Sequence, residues 1–223
     1  MNRLNEEVLS AALLHDGQAV LDAGCGFGGT LAGIAVSRKG MTLTGVNIDP
    51  RQLELARLNA PGAVFVEGDA CALPFPDASF DRVLAVECIF HFPSRQRFLK
   101  EAARVLKPGG RVALSDFVPP RPSEPESALG RFVRRRIELG YGAGGAGWEN
   151  GDYAAMARAA GLCVEVDRDI TAQVQPTYAV LLDLIAQGSL GGRESRMKWP
   201  TRLLAWASRA GRVRYRIIGL SKP

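Results

Sequence analysis

Two histidines are all that the 223 residues hold, and four cysteines are scattered at 25, 71, 88 and 163. Neither set has metal-ligand spacing, so no metal site is expected. Nothing suggests a disulfide framework, so the chain reads as a reduced, cytoplasmic protein with free thiols. No apolar run reaches the roughly 18 residues needed to cross a bilayer. The start, MNRLNEEVLSAALLHDGQ, carries acids early and only a short apolar patch, which does not read as a signal peptide. Aromatic residues are not interleaved with basic ones as in an RNA platform, so no nucleic-acid partner is expected. Internal repeats are absent, and low complexity is limited to the cluster GYGAGGAG.

The length is that of one ordinary domain with a real core. Its net charge of +5 is unevenly spread. Residues 1–111 balance, with 12 Lys/Arg against 12 Asp/Glu, whereas from Arg193 onward there are nine Lys/Arg and one Glu. A basic tail of this kind usually forms a solvated face. A membrane-surface role for MKWPTRLLAWASRAGRVRYR, with its two tryptophans among basic residues, is the weaker alternative.

Apolar runs alternate with helical patterns. QAVLDAG, MTLTGVNI, GAVFVEGDA, SFDRVLAVEC and RVALSDFV read as five strands. GGTLAGIAVSRKG, DPRQLELARLNA and SRQRFLKEAARVL read as helices among them, the second opened by an Asp N-cap and Pro50. That rhythm predicts an α/β fold, a mostly parallel sheet with helices on both faces. In such a sheet the strands' C-terminal ends line one edge, and ligands bind there at the switch point of strand order. The glycine loop, Asn47, Asp69, Glu87 to His91 and Asp116 all fall on that edge. Beyond the proline-rich PPRPSEPES, further helices and the alternating CVEVDRDI lead to a final strand, RVRYRIIGLSKP.

VLDAGCGFGGT, Val20 to Thr30, fits the G-x-G-x-x-G dinucleotide fingerprint through Gly24, Gly26 and Gly29, and adds Gly28. NAD would place a pyrophosphate at the following helix start. Asp22, two residues before Gly24, would repel a pyrophosphate and suits an ammonium group, as in S-adenosylmethionine. The loop by itself leaves both open.

EGDACALPFPDASFDRVLAVECIFHF followed by FLKEAARVLKPGGRVALSDF resembles the class I S-adenosylmethionine-dependent methyltransferases. The resemblance is to the small-molecule branch, with its ubiquinone/menaquinone-type C-methyltransferases and antibiotic sugar O-methyltransferases. It is strong over about Val20–Val118 and weakens beyond. The resemblance implies a Rossmann-like seven-stranded sheet with an antiparallel last strand and a helical cap inserted after the fifth strand. It divides the single domain into a cofactor-binding core (1–118), an acceptor cap (119–160) and C-terminal elements that complete the sheet (161–223). It implies S-adenosyl-L-methionine as cofactor, a small-molecule acceptor as partner, and a monomer or homodimer. Gly24, Gly26 and Gly28 would give room to the methionine tail, and Asp22 would face its ammonium. Asn47 stands where the family has an acid for the ribose hydroxyls; Ile48 would pack on adenine. Asp69 would accept from the adenine amino group and Ala70 would offer a backbone N–H. Glu87 would contact cofactor or acceptor.

Transfer to a hydroxyl benefits from a base, and a histidine is suited by its pKa. His15 precedes the first strand and reads as exposed. His91 follows the fourth strand, and Asp116 ends the fifth, so Asp116 is expected to orient His91 as catalytic base. The sugar O-methyltransferases often read His-His here, but in this chain the first position is Phe90. Phe132, Tyr141, Trp148, Tyr153 and Tyr178 are candidate acceptor contacts. O-methylation is the favoured reading. The alternatives are C-methylation of a quinone-like or lipid-like ring, and a non-catalytic binding protein.

Overall fold

The computed structural model describes residues 3–118, 152–188 and 194–223. A leading helix, α1 (Arg3–Ala12), precedes five strand-bearing units. These are β1 (Ala19–Ala23), α2 (Gly29–Ser37), β2 (Thr42–Asn47), α3 (Pro50–Asn59), β3 (Val64–Glu67), β4 (Phe80–Ala85), α4 (Arg95–Val105) and β5 (Leu106–Val118). A short 3-10 turn, Ile89–His91, lies between β4 and α4. The described C-terminal part adds α5 (Tyr153–Ala159), β6 (Cys163–Asp169), α6 (Thr171–Ala186), α7 (Glu194–Arg209) and β7 (Arg214–Ser221).

The local reasons are visible. Asp49 caps α3 by accepting from the Arg51 N–H, and Pro50 starts the helix. Ser94 caps α4 by accepting from the Arg97 N–H. The inner strands β1, β2, β4, β5 and β7 are mostly buried, whereas the edge strand β6 is charged and exposed. Together with β3 they pair into one seven-stranded sheet ordered β3-β2-β1-β4-β5-β7-β6. Pairing is parallel except around β7, which is antiparallel to both β5 and β6. The sheet and its antiparallel last strand are as expected.

Alternate strand residues feed two cores. Leu21, Val83, Val112 and Ile218 meet Phe98, Leu99 and Tyr153 on one face. Val20, Leu84, Ala113 and Ile217 meet α1, α2 and α3 on the other. A third cluster, Tyr178, Leu204, Ala205, Ala207 and Val213, holds the α6–α7 hairpin together, with Phe117 packed against it. The chain runs outward from β1 to β3, then returns to start β4 beside β1. That reversal places the crevice at the ends of β1 and β4, where a ligand site belongs.

Of the expected cap, residues 119–151 lie outside the described ones, and with them Phe132, Tyr141 and Trp148. The described α5 packs into the sheet's core through Tyr153 and Ala157. Tyr153 and Tyr178 are therefore core residues and not acceptor contacts: the first is 1% exposed and the second belongs to the hairpin's cluster.

Candidate active site

At the crevice lies a cleft of about 520 Å³. Its wall brings together Gly24, Gly26, Asn47, Ile48, Asp69, Ala70, Glu87 and His91 from the sequence-based set. Asp22, Gly28 and Asp116 are not in that wall.

The glycines divide the work. Gly24, Gly26 and Gly28 all have positive φ, at 73°, 52° and 77°. A Cβ on Gly24 would lie 2.9 Å from the Cys88 side chain, and one on Gly28 would press on Ala56 of α3 at 3.2 Å. Those two spaces serve close packing within the protein. Gly28, outside the cleft wall, packs on α3 and is the N-cap of α2. Only Gly26 leaves its Cβ space to the cleft, with Gln52 Oε1 the nearest atom at 3.7 Å.

Asp22 is 2% exposed and accepts no hydrogen bond among the described residues. Burial pushes its carboxyl pKa from 3.8 up to about 7. Burial, with a smaller push from the charge of Asp22, raises the Cys25 thiol pKa to about 12. At the end of β2, Asn47 Nδ2 donates to Gln52 Oε1 at 3.0 Å. The neighbouring Ile48 is 72% exposed although apolar. Asp69 Oδ1 accepts from the Cys71 N–H at 2.8 Å, and its second oxygen has no partner among the described residues. An unpartnered acid, an amide, an open apolar side chain and a half-free carboxylate match the ammonium, ribose and adenine of S-adenosylmethionine. The residues present fit the cofactor.

On the other side of the crevice, Asp116 is fully buried. Its Oδ2 accepts from Arg95 Nε at 2.6 Å and from the Tyr153 hydroxyl at 2.6 Å, while Oδ1 accepts from Arg95 Nη2 at 3.1 Å. Burial raises its pKa, and the guanidinium offsets part of that rise. No hydrogen bond joins it to His91. The expected His91–Asp116 pair is therefore corrected: Asp116 anchors α4 and α5 to β5. His91 stands in the cleft wall with its ring 4.5 Å from Phe90. Partial burial lowers its pKa, which keeps the imidazole neutral at physiological pH. Phe90 continues to Phe117 at 5.4 Å and Phe117 to Tyr215 at 4.4 Å, an aromatic row.

Glu87 has φ 57°, a conformation unfavourable for a side chain, and is held there. Its N–H donates to Ser115 Oγ at 2.9 Å, and its carboxylate accepts from the Tyr215 hydroxyl. Burial raises its pKa and the tyrosine offsets part of the rise.

Sequence reasoning missed Arg95, Tyr215 and Gln52. For Arg95 a signal existed. It opens α4, where the helix dipole disfavours a cation, so it had to answer a nearby acid. Tyr215 sits between two arginines in RYRII and showed only as one inward position of a strand. Among the described residues, no group of three or more His, Cys, Asp or Glu is placed to hold a metal.

The fold and the crevice define a nucleoside-cofactor domain of the Rossmann-like type. Residues 21–114 match the family described as "Methyltransferase domain". The chain is 38% identical over 183 residues to the 27-O-demethylrifamycin SV methyltransferase of Amycolatopsis mediterranei, covering 79% of this chain and 65% of that protein. It is 43% identical to the demethylmenaquinone methyltransferase of Tropheryma whipplei, over 47% of this chain and 44% of that one. The chain thus spans about half to two thirds of the length of these relatives. The fold is shared with a candidate sarcosine dimethylglycine methyltransferase from Galdieria sulphuraria, at TM-score 0.82 and 23% identity, over 98% of this chain and 83% of that one. Residues 21–114 thus match a methyltransferase domain, on a fold shared with a solved methyltransferase-like structure. No helix among the described residues is long and apolar enough to cross a membrane.

Proposed function

We propose that the protein transfers a methyl group from S-adenosylmethionine to a small-molecule acceptor, with a hydroxyl oxygen as the favoured target. The observation that carries this is the unpartnered Asp22, enclosed two residues before a glycine loop whose cleft also carries Asn47, Ile48 and Asp69. The 27-O-demethylrifamycin relative favours oxygen.

The cofactor, when bound, supplies a methyl group already activated on a sulfonium. The chain supplies position and a base. Gly26 lets the backbone approach the methionine tail, with Gly24 beside it in the same wall. Asp22 attracts the tail's ammonium, directly or through a water. Asn47 holds the ribose, Ile48 covers adenine, and Asp69 with the Ala70 N–H reads its edge. Glu87, fixed by Tyr215, faces the reacting region. His91 would take the proton of the acceptor hydroxyl, whose oxygen would gain the methyl as its bond to the sulfonium breaks and a neutral thioether leaves. Alignment at near-attack distance does most of the work, and a base adds about 10²- to 10⁴-fold. Phe90 and Phe117 offer an apolar wall to the acceptor. The segment 119–160 is the proposed acceptor cap by its place after β5, with α5 at its end tied into the core rather than to the acceptor. A second reading, methylation of a quinone-like ring, is favoured by the demethylmenaquinone relative.

Calorimetry with S-adenosylmethionine, and NAD as control, tests the cofactor. Micromolar binding of the first alone is expected; binding of NAD alone refutes the reading. A panel of phenols, macrolactone alcohols and hydroquinones, followed by mass spectrometry for a methyl gain, then separates the two acceptor readings.

A further inference from the structure

The α6–α7 hairpin leaves the sheet where β6 ends at Asp169 and rejoins it where β7 begins at Arg214. Both points lie at the edge that carries the cleft, because β6 runs parallel to β5 with β7 reversed between them. The two helices are unusual for a surface. In α6 one residue of sixteen is charged, Asp183, and Val180 is 57% exposed. In α7 the buried side carries Thr201, Leu204, Ala205 and Ser208. Its outer side carries Trp199, Arg202, Trp206 and Arg209, three to four residues apart and so on one helical face. The tryptophans are 66% and 47% exposed. Arg202 lies over the Trp199 ring and Arg212 over the Trp206 ring, each at 5.6 Å. From Lys198 to Arg214 there is no acid.

We propose that this stripe docks on an anionic lipid bilayer. Large exposed tryptophans are costly in water, and their amphipathic rings suit the headgroup region. The surrounding arginines supply attraction to anionic lipid. The charge argues against a second copy as occupant. A two-fold contact would set the basic stripe against itself. It also argues against nucleic-acid bases as the tryptophans' partners, since each ring already has a guanidinium over it. The surface does not rest on the methyl-transfer reading. Its consequence does: Phe117 packs on the hairpin's cluster and touches Phe90, beside His91, so the docked edge is also the acceptor edge. An apolar acceptor would be drawn from the same bilayer.

The test is flotation of the full chain with vesicles of phosphatidylcholine plus phosphatidylglycerol, against phosphatidylcholine alone. Binding to the anionic vesicles only is expected, falling with added salt. The pairs Trp199→Ser with Trp206→Ser, and Arg202→Glu with Arg209→Glu, should each weaken it by about tenfold or more. Circular dichroism of both double variants should match the parent, since the changed side chains are exposed. Absence of flotation overturns the proposal, as does flotation unchanged in both variants. So does a parental dimer by light scattering that the tryptophan variant separates, or RNA binding that vesicles do not displace. Calorimetry on the same samples separates the two ideas. Cofactor binding without vesicle binding refutes only the docking surface, and the reverse refutes only methyl transfer.

Discussion

The two halves of the crevice treat their polar groups in opposite ways. At the ends of β1 and β2, Asp22 has no hydrogen-bond partner among the described residues, and one oxygen of Asp69 is also free. At the ends of β4 and β5, Asp116 takes three hydrogen bonds from Arg95 and Tyr153, and Glu87 is tied to Tyr215 and Ser115. Asp22 and Asp116 are both nearly inaccessible, at 2% and 0% exposure. An enclosed carboxylate that the protein satisfies itself is a structural tie. One left unsatisfied carries a desolvation cost that no contact within the protein offsets, which is the feature that the proposed ligand role of Asp22 explains.

The largest effect that could break this comparison is at Asp116. Asp116→Ala leaves Arg95 charged and buried, and loss of one partner of such a pair costs about 3–5 kcal/mol. Urea unfolding should show a clear drop in midpoint with an unchanged slope. A variant as stable as the parent would return Asp116 to the list of catalytic candidates.

Next in size is His91. His91→Gln should lower turnover of a hydroxyl acceptor by about 100-fold while leaving cofactor affinity unchanged. In the parent, burial lowers the His91 pKa. The neutral, proton-accepting form is therefore complete above the ordinary histidine range. The rate should fall only as pH drops through the depressed value, and the glutamine variant should lose that limb. An unaltered rate would make His91 a wall residue.

These first two tests show what the sequence could and could not reveal. The elements were legible because periodicity, the Asp49-Pro50 start and the glycine loop are local signals. The cleft members Asn47, Ile48 and Asp69 were legible because strand order alone carries them to one edge. The roles of Asp22 and Asp116 were not distinguishable, since both are aspartates near the end of a central strand. What separates them is Arg95 arriving from α4 and Tyr153 arriving from α5, contacts 21 and 37 residues distant in sequence. In the same way Gly28 matches a ligand-loop motif, and only its 3.2 Å approach to Ala56 shows that it serves helix packing.

Asp22 itself gives a smaller, two-sided effect. Its folded-state pKa is raised to about 7 from 3.8. The raised value favours folding below the unfolded pKa, and this contribution is lost as pH climbs through about 7. Asp22→Asn should therefore flatten the pH dependence of stability between those limits. At pH 8 it should gain about 2 kcal/mol, a part of the cost that the shift implies at about 1.4 kcal/mol per unit. The same change should weaken S-adenosylmethionine about tenfold, because the ammonium loses its counter-charge. Binding to the parent near neutrality should release protons, visible as a buffer-dependent heat. A variant less stable at pH 8, with affinity intact, would mean that Asp22 is another satisfied tie.

The finest test lies at Asn47. Its amide donates to Gln52, and its carbonyl oxygen is left to accept one ribose hydroxyl. A carboxylate accepts at both oxygens, and bonds to a charged acceptor are about twice as strong as neutral ones. Against that gain, Gln52 must turn its amide so that Nε2 donates where Oε1 now accepts. That turn is open to it, because Oε1 is engaged only by Asn47 among the described residues. Asn47→Asp should therefore tighten cofactor binding by about three- to tenfold, worth about 1 kcal/mol. Adding Gln52→Ala should preserve the gain if the ribose is its source. A loss of affinity in the single variant, restored by removing Gln52, would show that the open half of the crevice is also tuned by a contact within the protein.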